Sequence, residues 1–366
     1  MINVRGYIHH ILLLCLLLCG AACQSEQKEP QSMGEPIFKL EQNNTSAQKQ
    51  IALLSEQLKS SPNNYALYED RSRLYYQLDK MDSAVMDIDA ALKLYREGPD
   101  LHYLKGFYAY VQDDTLTARK EFESSIGLGT ANPESYYQLG QIYFFQRKYE
   151  LADQNYQEAI KLDSREPTYV LALGLLYQSQ RKFAQAESAY LATIEIDSTF
   201  LKGLSQLHDL YLNNYRNEDK AMNYNQQLLD IDPGHALGRF REGNFYLRKA
   251  LSITDEAKMP EFQEAINQAV VAFTIAINRD ETFLSAIYSR AYCYFLADDY
   301  DSAIRDFERI LQLDHTHAQA NFMLGSIYEH YQDYATALSF YEKVLEGAPG
   351  QADAQRAIQE LNSKLN

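Results

Sequence analysis

A period of 34 residues runs through most of this chain, and it limits the fold more than any other feature. Ser72, Gly106, Gly140, Gly174, His208, Gly243, Ala291 and Gly325 follow one another at gaps of 34, 34, 34, 34, 35, 48 and 34 residues. Small residues dominate the set, as expected where two helices cross closely. An alanine stands twelve residues after most of them: Ala84, Ala118, Ala152, Ala186, Ala303 and Ala337. In the two longer repeats it is displaced, to Ala221 and Ala269. Four residues past the alanine comes a large apolar residue, among them Phe122, Tyr156, Tyr190, Phe273, Phe307 and Tyr341, with Asn225 as the exception. Within each half-repeat apolar residues recur at spacings of three and four, the signature of an amphipathic helix. Turn residues such as Asp163-Ser164, Asp232-Pro233-Gly234 and Pro349-Gly350 separate the helices. One helix pair cannot bury its apolar face alone, so successive pairs must stack. The spacing therefore predicts an all-α array of about eight helix pairs.

The order Leu-Gly, Tyr, Ala, then Tyr or Phe resembles the tetratricopeptide repeat. It reads Tyr136, Leu139-Gly140, Tyr143, Ala152, Tyr156, Ala159, and again Leu324-Gly325, Tyr328, Ala337, Tyr341, Pro349. The resemblance covers residues 47–366 and implies a right-handed superhelical solenoid. The amphipathic segment Ala352–Leu365 is expected to cap its last pair, and Ala47–Lys59 to close the other end. Residues 236–280 hold the lengthened pair, with added residues at 247–262 joined near Thr254–Lys258.

In this family the first helix of each pair lines a concave groove that binds protein or peptide partners. The inward positions lie three before, one after and four after the small residue. Here they hold Tyr76, then Tyr103, Phe107 and Tyr110, then Tyr137 and Phe144, and further on Phe240, Tyr288, Tyr292, Phe295 and Phe322. The expectation is a solvent-facing aromatic wall whose rings point away from the seams between helices; the alternative is tight superhelical packing, with these rings buried against neighbouring repeats. A tyrosine ring contributes contact area and its hydroxyl a directional bond. The basic clamp that some members use for a C-terminal carboxylate is not repeated, since only Arg73 of Glu69, Arg73, Tyr103 and Phe107 fits it.

The N-terminus reads differently. Arg5 precedes an apolar run, Ile11-Leu12-Leu13-Leu14-Cys15-Leu16-Leu17-Leu18, that is short for a membrane span and has the layout of a secretory signal. It ends in Gly20-Ala21-Ala22-Cys23, which resembles a bacterial lipobox with Gly20 where Leu is usual. The resemblance implies cleavage of residues 1–22 and lipidation of Cys23, with ordinary secretory cleavage or an uncleaved anchor as the alternatives. Residues 23–46 read as a polar tether. No Asp follows Cys23, which points to the outer membrane, facing the periplasm. In the remaining chain Cys293 has no internal cysteine to pair with and is expected to be a small buried residue.

A formal charge of −16 and no basic run argue against nucleic acid as a partner. No phosphate loop, metal-protease helix, nucleophile elbow or dinucleotide fingerprint is present, so neither catalysis nor a cofactor is expected. His315 and His317 lack further metal ligands, and Asp113-Asp114 and Asp298-Asp299 are expected to be turn residues. The reading that follows is a protein-interaction scaffold on the envelope membrane. The alternative is a glycan- or peptidoglycan-binding lipoprotein of the outer membrane, against which the absence of Trp counts.

Overall fold

A computed structural model describes residues 44–129, 132–348 and 350–365; the signal, Cys23 and most of the tether lie outside them. All regular structure among the described residues is helical, and the chain forms two compact units, 1–203 and 204–366.

Unit 1 contains α1 (Asn44–Ser60), then four pairs. These are α2 (Tyr65–Gln77) with α3 (Met81–Leu94), α4 (Pro99–Val111) with α5 (Thr115–Gly127), α6 (Pro133–Phe145) with α7 (Tyr149–Leu162), and α8 (Pro167–Ser179) with α9 (Phe183–Ile196). Helix α10 (Leu201–Asp209) runs on into unit 2 as a π turn, Leu210–Asn214. Unit 2 continues with α11 (Glu218–Ile231), α12 (Ala236–Leu251), α13 (Met259–Arg279), α14 (Leu284–Leu296), α15 (Tyr300–Leu313), α16 (Ala318–His330), α17 (Tyr334–Gly347) and α18 (Ala352–Leu365). Within each unit the α-helices other than α10 pack on their sequence neighbours, which makes both units solenoid stacks.

The repeat signal maps onto the helix crossings. Every periodic alanine, including the displaced Ala221 and Ala269, is fully buried. A Cβ added at Gly140 would come within 2.6 Å of the Tyr156 ring, and one at Gly325 within 2.7 Å of Tyr341. Glycine is there to let the ring of the second helix lie on the backbone of the first. The fifth repeat inverts the arrangement. His208 takes the glycine position and Asn225 the ring position, and both are buried. The large group has changed helices, so the crossing is still filled. The extra residue of this repeat is absorbed by the π turn, the usual form of a one-residue insertion in a helix.

The turn inside each pair has one recurring form. Asp79, Asp113, Arg147, Arg181, Arg216, Asp298 and Gln332 adopt positive φ between 53° and 62°. The next residue returns its N–H to the carbonyl of a tyrosine in six of the seven turns, as Lys148 does to Tyr143 at 2.9 Å. Asp114, Asn217, Asp299 and Asp333 then cap the second helix with their side chains. The aspartate pairs expected only as solvated turn residues are thus one left-handed residue and one helix cap.

Helix α1 begins at Asn44, inside the segment read as tether. It acts as the second helix of a preceding half-repeat: Arg71 pairs with Asp87 through two 2.7 Å bonds and reaches Ser55 at 3.0 Å. Arg290 repeats the pattern with Asp306 and Thr274. At the other end, Leu361 of α18 is buried with Ala337 and Tyr341, and Ile358 packs against them. In the lengthened pair, α12 has 16 residues and α13 has 21, with Pro260 in the first turn of α13.

Candidate functional site

The inward positions carry rings as expected, but most of the rings are not in solvent. Tyr103, Phe107, Tyr110, Tyr137, Phe240 and Tyr292 are each less than 7 % exposed. For these six the picture of an open wall pointing away from the seams is corrected. The cause is visible in the second repeat, where rings of adjacent helices interlock. Phe107 meets Tyr76 edge-on at 5.2 Å, Tyr103 lies 6.0 Å from Phe122, and Tyr76 stacks on Tyr108 at 5.5 Å. Tyr137 packs on Tyr156 and Tyr169, and Phe240 on Phe273 and Phe283. Burial pushes the Tyr103 and Tyr110 hydroxyls up, and the Tyr137 hydroxyl up to about 12.

Five inward rings are half-buried: Tyr76, Phe144, Tyr288, Phe295 and Phe322. Tyr288 packs on Phe307 and His317, Phe322 on Tyr341, and Phe144 on Phe145 and Tyr149. Arg73 is paired with Glu69 at 2.8 Å.

Polar groups among the rings were not singled out in the sequence. Glu134, in the first turn of α6, accepts the Tyr169 hydroxyl at 2.5 Å. Burial, reinforced by Glu166 and Asp163, raises its carboxyl to about 7, with the Tyr169 bond acting the other way. In unit 2, His208 contacts the Ala221 carbonyl through Nδ1 at 2.9 Å, so that nitrogen carries the proton. Burial, with Arg241 nearby, lowers its pKa to about 3. Arg241 itself is buried and paired with Asp209 at 2.7 Å. Cys293 is fully buried, and burial pushes its thiol up. Among the described residues no group of His, Cys, Asp and Glu could hold a metal; His317 caps α16 instead.

The sequence reading passed over the edge where first helices turn into second helices. Phe145 and Tyr331 are each 47 % exposed there. A signal was available: the turn is basic in the third and fourth repeats (Arg147-Lys148, Arg181-Lys182) and acidic in the seventh (Asp298-Asp299).

Tetratricopeptide-repeat family models match residues 133–165 and 288–352, one stretch in each unit. The chain carries tetratricopeptide repeats. The two stretches are the third repeat and the seventh to eighth, and the first of them contains Leu139-Gly140 and Ala152. Comparison with curated proteins finds no match. Solved tetratricopeptide structures are similar in part. YrrB, described as a TPR protein with an unusual peptide-binding site, is 20 % identical over 50 % of this chain and 95 % of its own, with a TM-score of 0.41. MamA is 22 % identical over 44 % of this chain and 94 % of its own, with a TM-score of 0.40. The human IFIT1 dimer with m7Gppp-AAAA is 16 % identical over 87 % of this chain and 76 % of its own, with a TM-score of 0.49.

Proposed function

We propose that this tetratricopeptide-repeat chain is a non-catalytic protein-interaction scaffold of a bacterial envelope, held to the membrane by a lipid on Cys23. The stacked tetratricopeptide pairs in both units carry the scaffold part of the reading. The anchoring part rests on the apolar run that ends in Gly20-Ala21-Ala22-Cys23. No helix among the described residues is long and apolar enough to cross a membrane. Partners, protein or peptide, bind along the inward rings that keep exposed surface: Tyr76, Phe144, Tyr288, Phe295 and Phe322.

Anchoring is tested by Cys23→Ser, which removes the acceptor for a lipid worth about 0.8 kcal/mol per buried methylene. The variant is expected to leave the membrane fraction or to fail to mature. A Cys23→Ser protein that matures and stays in membranes would reject the anchor. Binding is tested with a photo-crosslinking residue placed at position 288, 322 or 107. Protein adducts are expected from 288 and 322 and not from the buried 107. Adducts at none of the three would sink the scaffold reading.

A further inference from the structure

The turn edge of the seventh and eighth repeats differs in charge from that of the third and fourth. In the third and fourth repeats the residue capping the second helix is a lysine, and its ammonium sits over a tyrosine of the same repeat. Lys148 Nζ lies 5.8 Å from the Tyr143 ring, and Lys182 Nζ 5.8 Å from Tyr177. Those repeats supply their own cation to their own ring. In the seventh and eighth repeats the capping residue is Asp299 or Asp333. Aspartate satisfies the helix terminus but brings a negative charge to the rings.

Four rings gather at this edge. Tyr300, at the start of α15, lies 5.6 Å from Phe295, 4.7 Å from His330 and 5.9 Å from Tyr331. The Tyr300 and Tyr331 rings are nearly perpendicular, at 85°, so they form two walls of a corner. Tyr331 is 47 % exposed. Carboxylates rim the corner. Asp298 accepts the Tyr300 hydroxyl at 3.0 Å, and the Tyr331 hydroxyl lies near the carboxylates of Asp301 and Asp299. Among the described residues none of the three aspartates is in an ion pair. Arg305 is turned to Ser302, and Lys364 is paired with Glu329.

A ring face is electron-rich, and carboxylates beside it deepen the attraction for a cation. A planar guanidinium suits such a corner better than an ammonium, because it can stack on the ring while its N–H fork reaches carboxylates. We propose that the corner of Tyr300, Tyr331, His330 and Phe295 receives an arginine side chain of a partner polypeptide, stacked on Tyr331 and paired with the aspartates of the 298–301 turn. The proposal rests on the scaffold reading and adds to it the chemistry of one contact.

The test uses the full chain in detergent and a fluorescein-labelled heptapeptide of alternating glycine and arginine, read by fluorescence anisotropy. A citrulline version keeps the shape and removes the charge. The arginine peptide is expected to bind at least about tenfold more tightly than the citrulline one, a difference of about 1.4 kcal/mol. Tyr331→Ala and the double variant Asp298→Asn/Asp301→Asn should each weaken it about tenfold, while Tyr331→Phe stays within about threefold. Unchanged melting of Tyr331→Ala shows that the loss is local. As a control, Glu150→Gln/Glu195→Gln removes two exposed charges from unit 1 and should change nothing. Equal affinity for the two peptides, an unaffected Tyr331→Ala, or a control that weakens binding as much as the aspartate pair would each overturn the proposal. Adducts at 288 and 322 without arginine selectivity would remove this contact alone; their absence would remove the scaffold reading itself.

Discussion

The second and seventh repeats place aromatic rings at the same three inward positions and use them differently. In the second, Tyr103, Phe107 and Tyr110 are all buried. In the seventh, only Tyr292 is; Tyr288 and Phe295 keep part of their surface. The difference comes from the neighbours. The repeats flanking the second supply Tyr76, Tyr137 and Phe144 at inward positions. The repeats flanking the seventh supply Phe240 and Phe322 at the first of these positions, and the eighth supplies Ser326 and Glu329 at the other two. At the last of the three positions this is plain: Tyr110 stands between Tyr76 and Phe144 and is buried, whereas Phe295 stands beside Glu329 and keeps surface. An inward ring therefore keeps surface that a partner could reach only where its neighbours leave it uncovered.

The largest expected contrast is in stability. Phe107→Ala should cost about 3–5 kcal/mol, since a buried ring leaves a cavity. Phe295→Ala should cost about 1–2 kcal/mol, because less area is withdrawn from water. Denaturant unfolding with hydrogen exchange resolved by repeat measures both; equal costs would break the comparison. The helix crossings give a smaller pair of effects. A Cβ at Gly106 would fall 2.8 Å from the Phe122 ring, so Gly106→Ala should cost about 1–3 kcal/mol by overpacking. The seventh repeat already carries Ala291 there, fully buried, and Ala291→Gly should cost about 0.5–1 kcal/mol from backbone entropy.

Titration separates the two units further. The Glu134 carboxyl of unit 1 is raised to about 7 from an ordinary 4.5, so the native chain holds this proton where the unfolded chain has lost it. Its contribution is complete below about pH 4.5 and is lost as pH rises through about 7. In unit 2, His208 is lowered to about 3 from 6.5. Its contribution is complete above about pH 6.5 and is lost as pH falls through about 3. Unfolding measured against pH should show a decline near neutrality that Glu134→Gln removes, and an acid decline that it leaves in place. A Glu134→Gln profile parallel to the unchanged protein would reject the first assignment. The effect at the turns is local: Asp299→Ala removes a helix cap and should cost about 1 kcal/mol, seen as faster exchange at the start of α15.

The sequence made the architecture readable because the crossings impose a strict rule on residue size. Gly140 with Tyr156 and Gly325 with Tyr341 obey it in both units, and the buried alanines keep register even where the spacing stretches to 48 residues. The capping helix expected at Ala352–Leu365 likewise buries Ala354 and Leu361, although Leu365 at its end is exposed. Which of the inward rings inter-repeat packing buries was not readable, because it depends on which side chains adjacent repeats bring to the same place. The exposure of Tyr103 could not be judged without the rings around it. The fifth repeat showed its irregular gap and its Asn225, but not that His208 fills the space a ring would take. The acidic turn at Asp298-Asp299 was visible, while its closeness to Tyr331 of the following repeat is a tertiary fact.

We propose a division of labour: the buried inward rings hold the stack, and rings that keep surface, those of the seventh and eighth repeats among them, meet partners. Melting and arginine-peptide affinity measured together on Phe107→Ala and Tyr331→Ala test this most directly. Phe107→Ala is expected to melt earlier and, below its transition, to bind the peptide as the unchanged chain does. Tyr331→Ala is expected to melt normally and to bind about tenfold more weakly. A Phe107→Ala protein that keeps its stability but loses the peptide, or a Tyr331→Ala protein that melts early and binds normally, would contradict it.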